Sequence, residues 1–193
     1  GHENGGHENP SESERTSRTW ISGELLAPLP DVAAAVGWED PAWLDEMLSR
    51  ASSYGIEVHA WWPCFQDAVA AGSMPNASYP GGKTEGFLDP AYPEVGDYQK
   101  KLIRKLLKRY PFDGIALDWL RYNDRSNGSA GPQGEKFAEA TGMQWSNEAM
   151  SDPLARAIWD DMRAQTVADW VRSLLAELRP VNPGVSWGAF VLP

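Results

Sequence analysis

Residues 112–124 read FDGIALDWLRYND, and this stretch decides the fold. An Asp-Gly opening, a short apolar run and a carboxylate ahead of Trp-Leu-Arg-Tyr predict a buried strand that ends in polar chemistry. Side chains alternate along a strand, so Gly114, Ala116 and Asp118 share one face while Ile115 and Leu117 share the other. The bulky pair suits packing under helices. The small pair suits the crowded inside of a parallel barrel, with Asp118 at the carboxyl end, where parallel α/β folds bind ligands and hold catalytic groups. Asp118 is therefore the first catalytic candidate, and the alternative is an Asp that caps the next loop.

Upstream, Pro41 follows Asp40, and Trp43, Leu44, Met47, Leu48, Ala51 and Tyr54 recur at helical spacing until Gly55. Residues 56–62, IEVHAWW, then predict a strand with Ile56, Val58 and Ala60 on one face and Glu57, His59 and Trp61 on the other. Helix, Gly, strand is half of a parallel βαβ unit. With the aliphatic face under helices, His59 and Trp61 turn to the same interior as Asp118. His59 has the alternative of a hydrogen-bonded core histidine. Trp61, at the strand end, is a candidate platform for stacking. Residues 63–92 form a long Pro/Gly-rich loop of the kind that carries function, with Asp89 read as a cap ahead of a helix over 93–110. Six Lys and Arg residues from Lys100 to Arg109 suit that helix's negative end and a solvated face.

Downstream lies a second long excursion over 119–151, with a short helix from Glu135 to Thr141. A long helix opens at Asp152-Pro153 with Leu154, Ile158, Met162, Trp170, Val171, Leu174 and Leu178 on its expected buried side, and residues 185–191 predict a third strand.

The chain has 193 residues, ten Trp and a formal net charge of -10. That charge argues against nucleic acid or anionic membrane as a partner, and no apolar run is long enough to span a bilayer. No signal peptide opens the chain, and the compartment is not readable. Cys64 stands alone and reads as a small hydrophobe. Indoles stack on the apolar faces of sugars, so tryptophans at strand ends, Trp61 and Trp119, favour a carbohydrate ligand. Residues 1–18, repeating GHEN, hold almost nothing to bury and read as a disordered tail or linker. Their His2, Glu3, His7 and Glu8 are incidental rather than a metal site. No metal or other cofactor is expected.

Three strands joined by helices, with both long insertions on one rim, predict a partial (β/α)8 TIM barrel over residues 19–193. About three consecutive βα units are present, with long loops on the carboxyl-terminal rim. A closed barrel needs about 250 residues, so another segment or chain is expected to complete it.

GIEVHAWW, DGIALDWLRY and the DPAYPEV helix start, in that order, resemble the glycosyl hydrolase-like 10 family of bacterial barrel proteins. The resemblance runs from Trp43 to Pro193, through the helix bearing Trp159 and Arg163. It implies that Asp118 is the strand-end active-site carboxylate, that Arg121 and Tyr122 sit at its rim, and that His59 and Trp61 line the pocket. A secreted or cell-envelope location fits the family. The family commonly has His where this chain has Ala116 and Pro where it has Asn123. The wider α-amylase-like pattern has Arg at the position of Ala116, and its absence argues against an amylase-type protein.

The implied activity is glycoside hydrolysis of a poly- or oligosaccharide, which uses two carboxyl groups about 5 to 5.5 Å or roughly 6.5 to 9.5 Å apart. Asp118 is one, as nucleophile or general acid, with Arg121 expected to favour its charged form. Asp124 is the local candidate for the other, against a residue on the missing strands. The competing expectation is a non-catalytic carbohydrate-binding or surface protein on the same scaffold.

Overall fold

The computed structural model of the chain describes residues 42–79 and 86–190, so the expectations for residues 1–18 and 19–37 lie outside it. Eight elements matter here. They are α1 (Ala42–Ser53), β1 (His59–Pro63), α2 (Ala68–Ser73), α3 (Pro93–Arg109), β2 (Gly114–Asp118), α4 (Pro132–Thr141), α5 (Pro153–Leu178) and β3 (Ser186–Ala189). The strands form one parallel sheet in the order β1-β2-β3. The expected α/β fold with a parallel sheet is present.

The middle strand reads as its residues dictate. Ile115 and Leu117 are buried in the main apolar cluster with Leu44 and Leu48 of α1, Leu102, Ile103 and Leu106 of α3, and Trp170, Leu174 and Leu178 of α5. All three helices therefore cover one face of the sheet. Each aliphatic side chain fully withdrawn from water contributes about 1.5 to 3 kcal/mol, so this layer dominates the stability. Gly114, Ala116 and Asp118 lie on the opposite face, in register with His59, Trp61 and Pro63 of β1.

Helix ends follow ordinary electrostatics. Pro93 opens α3, Glu94 sits in its first turn, and Lys108 and Arg109 sit in its last, complementing the macrodipole. Arg109 reaches Asp45 of α1 through two nitrogens, at 3.0 and 2.7 Å. Lys100 and Arg104 both pair with Glu177 of α5, so with Arg109 half of the six basic residues of α3 are held in intramolecular ion pairs.

Three expectations are corrected. The first strand begins at His59, not at residue 56, and Ile56 is 58% exposed. Gly55, at φ 67°, turns the chain out of α1, and the Val58 N–H donates to the Asp113 carboxylate at 2.8 Å. A side chain thus stands where a ladder partner would be. Second, Leu154 is 69% exposed, because the first half of α5 buries Ala155 and Trp159 in a separate cluster with Phe137 and Met150. Third, the stretch after β1 is not loop throughout. Asp67 caps α2 by accepting from the Ala70 N–H, and a 3-10 turn follows at Pro75–Ala77.

Candidate functional site

Asp118 closes β2 at its carboxyl end. Its Oδ2 accepts from the Trp61 indole N–H at 3.0 Å, and its Oδ1 accepts from the Trp119 backbone N–H at 2.7 Å. The register makes the first bond possible, since Trp61 pairs with Ala116, one side-chain step below Asp118 on the same face. The indole is held at its nitrogen edge while the residue remains 51% exposed, which leaves ring surface open to solvent. Each carboxylate oxygen keeps a second acceptor direction for a ligand hydroxyl.

Trp119 turns the chain sharply. Its φ of 54° is left-handed, a strained conformation for a bulky residue, and such strain concentrates at functional sites. The turn carries its ring against Phe87, centroids 5.5 Å apart, and beneath the Arg121 guanidinium at 4.4 Å. Arg121 therefore stacks on Trp119, and no ion pair between Arg121 and Asp118 occurs among the described residues. Phe65, just beyond β1, is also left-handed at φ 60°, so both loops leave the sheet through a strained aromatic residue.

The other expected site residues separate. His59 lies low on the open face beside Glu57, 3.4 Å from its carboxylate, and its ring leans over Gly114, where a Cβ would fall 2.4 Å from Nδ1. Tyr122 is buried away from Asp118, under the Arg163 guanidinium at 4.5 Å. Asp124 is exposed and accepts from the Ser126 N–H and hydroxyl at 2.9 and 2.8 Å, and these bonds hold its carboxyl below the usual range. Cys64 is fully buried beside the strand ends. Burial pushes its thiol up, and the neighbouring Asp118 charge adds to this. It is an inert small hydrophobe, as its surroundings require.

Two features went unread in the sequence. Arg163 donates to the carbonyls of Asp124 and Arg125 at 2.7 and 3.2 Å, while Trp159 donates to Arg125 O at 2.9 Å, so α5 grips the loop that follows Asp118. Asp89 is 2% exposed. Its burial raises its carboxyl above the usual range, and only partly do the Ala91 N–H and the hydroxyls of Tyr79 and Tyr122 offset this. The i,i+4 pair of Trp159 and Arg163 was the available signal for the first feature. The second had none beyond the cap reading, and Asp89 does accept from the Ala91 N–H at 2.9 Å. Among the described residues no cluster of acidic, His or Cys side chains is arranged to hold a metal, and no helix is long and apolar enough to cross a membrane.

A family model described as Glycosyl hydrolase-like 10 matches residues 27–190. The chain is similar to the glycosyl hydrolase DigH of Escherichia coli K12, 24% identical over 184 residues that cover 84% of this chain and 39% of that protein. The S-layer-related protein of Niallia circulans is 29% identical over 113 residues, covering 51% of this chain and 7% of that protein. The chain thus spans 39% of the length of the DigH relatives. Among solved structures, a hypothetical protein from Ruminiclostridium thermocellum ATCC 27405 superposes with a TM-score of 0.52 at 16% identity, over 96% of this chain and 76% of that one. At that identity the likeness is one of fold.

Proposed function

Because the chain belongs to the glycosyl hydrolase-like 10 family, we propose that it carries the Asp118 part of a carbohydrate site whose whole protein hydrolyses glycosidic bonds of a poly- or oligosaccharide. On this reading residues 19–193 form one piece of a (β/α)8 barrel. The three strands are consecutive βα units, and further strands complete the cleft over their open face. The observation that carries the reading is the bond from Trp61 to Asp118, which places a carboxylate and an open indole face side by side at the strand ends. A sugar ring stacks on Trp61 while its hydroxyls donate to Asp118. Trp119 and Arg121 form the wall beyond. Asp118 acts as nucleophile or general acid, and a carboxyl group on another strand supplies the second role. His59 lies deeper on the same face. Tyr122 and Asp124 support the loop rather than touch the sugar.

A second reading, a carbohydrate-binding protein without turnover, is favoured by one observation. β1 ends in Pro63 and β3 in Ala189, so Asp118 is the only strand-end carboxylate among the described residues. Two variants of the full protein distinguish the readings. Asp118→Asn removes the ionisable group at nearly constant shape, so oligosaccharide turnover falls by at least about 100-fold, as expected for loss of a general acid or nucleophile, while equilibrium binding largely survives. Trp61→Ala weakens binding first. Turnover at the parental rate in Asp118→Asn removes the catalytic assignment, and a parent that binds without turnover selects the second reading.

A further inference from the structure

A second cavity, of about 290 Å³, lies between the loop after β1 and the loop after β2. Tyr79, Asp89, Tyr92, Asn127, Ser129 and Gly131 are among its walls, and Trp61, Asp118 and Trp119 are not. Its size is at the lower end of the roughly 300 to 1,000 Å³ typical of small-molecule sites. At its base is the buried Asp89 carboxylate. Buried carboxylates are normally paired with a cation, yet Asp89 makes no ion pair among the described residues. Its Oδ1 accepts from the Ala91 N–H at 2.9 Å. Around it, the Tyr79 and Tyr122 hydroxyls turn to that carboxyl, while the Asn127 side-chain amide nitrogen, on the cavity wall, is buried without a hydrogen-bond partner. A buried polar group in that condition calls for an explanation.

Gly131 opens the space. A Cβ there would stand 3.0 Å from the Tyr92 ring, 3.1 Å from its hydroxyl and 3.3 Å from Asp89 Oδ2. The backbone does not require glycine, since φ is -120° and ψ is -161°, an extended conformation open to any residue. Its smallness matters because it leaves space between the Tyr92 ring and Asp89 Oδ2.

The lining contains no Lys or Arg, so an anion finds no partner and meets the Asp89 carboxyl. A metal would need more carboxylate or imidazole ligands than the described residues gather here. What remains is a neutral ligand rich in hydroxyls, which both donate and accept, with one flat apolar face for the Tyr92 ring. We infer that this cavity is a second binding site, built by Asp89, Tyr92 and Asn127 for a single neutral sugar ring and separate from the Asp118 face. Burial of Asp89, which raises its carboxyl, suits a neutral ligand.

The inference does not depend on Asp118 being catalytic, and the test keeps the two apart. The isotope-labelled full protein is titrated separately with methyl β-glucoside, methyl α-galactoside, N-acetylglucosamine and calcium chloride, following backbone amide resonances. At least one sugar shifts the amides of residues 127–131 and saturates in the millimolar range. Ala130→Trp, at an exposed wall residue, and Asp89→Asn each weaken that binding by tenfold or more, while Trp61→Ala changes it by less than twofold. Because Ala130 lies outside the core, its variant remains informative if Asp89→Asn fails to fold. The inference is overturned if no sugar moves these resonances, if calcium alone does so, if Ala130→Trp leaves the affinity unchanged, or if Trp61→Ala abolishes it.

Discussion

Replacing Arg163 by Met removes a cation from a place where four groups converge on it. The side chain is 11% exposed, donates to the carbonyls of Asp124 and Arg125, and lies over the rings of Tyr122 and Trp159 at 4.5 and 5.5 Å. Hydrogen bonds from a charged donor contribute about 1.5 to 3 kcal/mol each, and a partly desolvated cation over a ring about 0.5 to 2. These are not additive, since Met restores some packing and water reaches the freed carbonyls. The expected loss is about 3 to 4 kcal/mol. With a urea dependence of about 2 kcal/mol per molar, the unfolding midpoint falls by roughly 1.5 to 2 M. Arg163→Lys keeps the charge but cannot span both carbonyls, so it loses about half as much. Hydrogen exchange gives the local readout, because the amides of residues 124–127 lose protection before the sheet does. A midpoint for Arg163→Met within about 0.3 M of the parent, or unchanged protection of those amides, would refute the view that α5 grips this loop.

Two further outcomes are specific. Leu154→Gln changes stability by less than about 0.5 kcal/mol in urea unfolding, as for other surface sites, although helical spacing puts Leu154 on the buried side; a loss above about 2 kcal/mol would restore that expectation. For Asp89→Asn the pH dependence is diagnostic. The folded carboxyl lies above its unfolded value of about 3.9, so the folded state binds the proton more tightly. That stabilisation is complete below the unfolded value and is lost as pH rises through the folded one. The stability of the parent minus that of the variant should therefore fall with rising pH across this window, and a rise would contradict a carboxyl raised by its burial.

The sheet was legible because alternation in residues 114–118 fixes both faces at once, and one bulky face needs helices over it. The juxtaposition of Trp61 and Asp118 followed from the same parity, but the bond between them did not, since register depends on where β1 starts. That start was misjudged because the Asp113 side chain, 55 residues away in sequence, takes the first pairing position. In α5 the spacing 170, 166, 162, 158, 154 and the spacing 170, 167, 163, 159, 155 are both helical. The second is real because Trp159 and Arg163 have a loop to hold, a tertiary reason invisible in periodicity. Asp89 was readable as a cap and not as a buried carboxyl, because burial there comes from loops that meet only in the folded chain.

Asp113 has a kinetic meaning as well. Its carboxylate takes the Val58 N–H, its own N–H goes to the Val58 carbonyl, and its carbonyl accepts from the backbone N–H and hydroxyl of Ser186. One residue thus ties the entrances of all three strands, across sequence separations of 55 and 73. Neither pairing can form until a long intervening segment has closed on itself, and that entropy is spent before the apolar layer rewards it. Helices α3 and α5 can form early from local contacts, while the sheet waits for this three-way junction. Ordering of the sheet is thereby tied to the end opposite Asp118, away from the rim that carries Trp61 and Trp119.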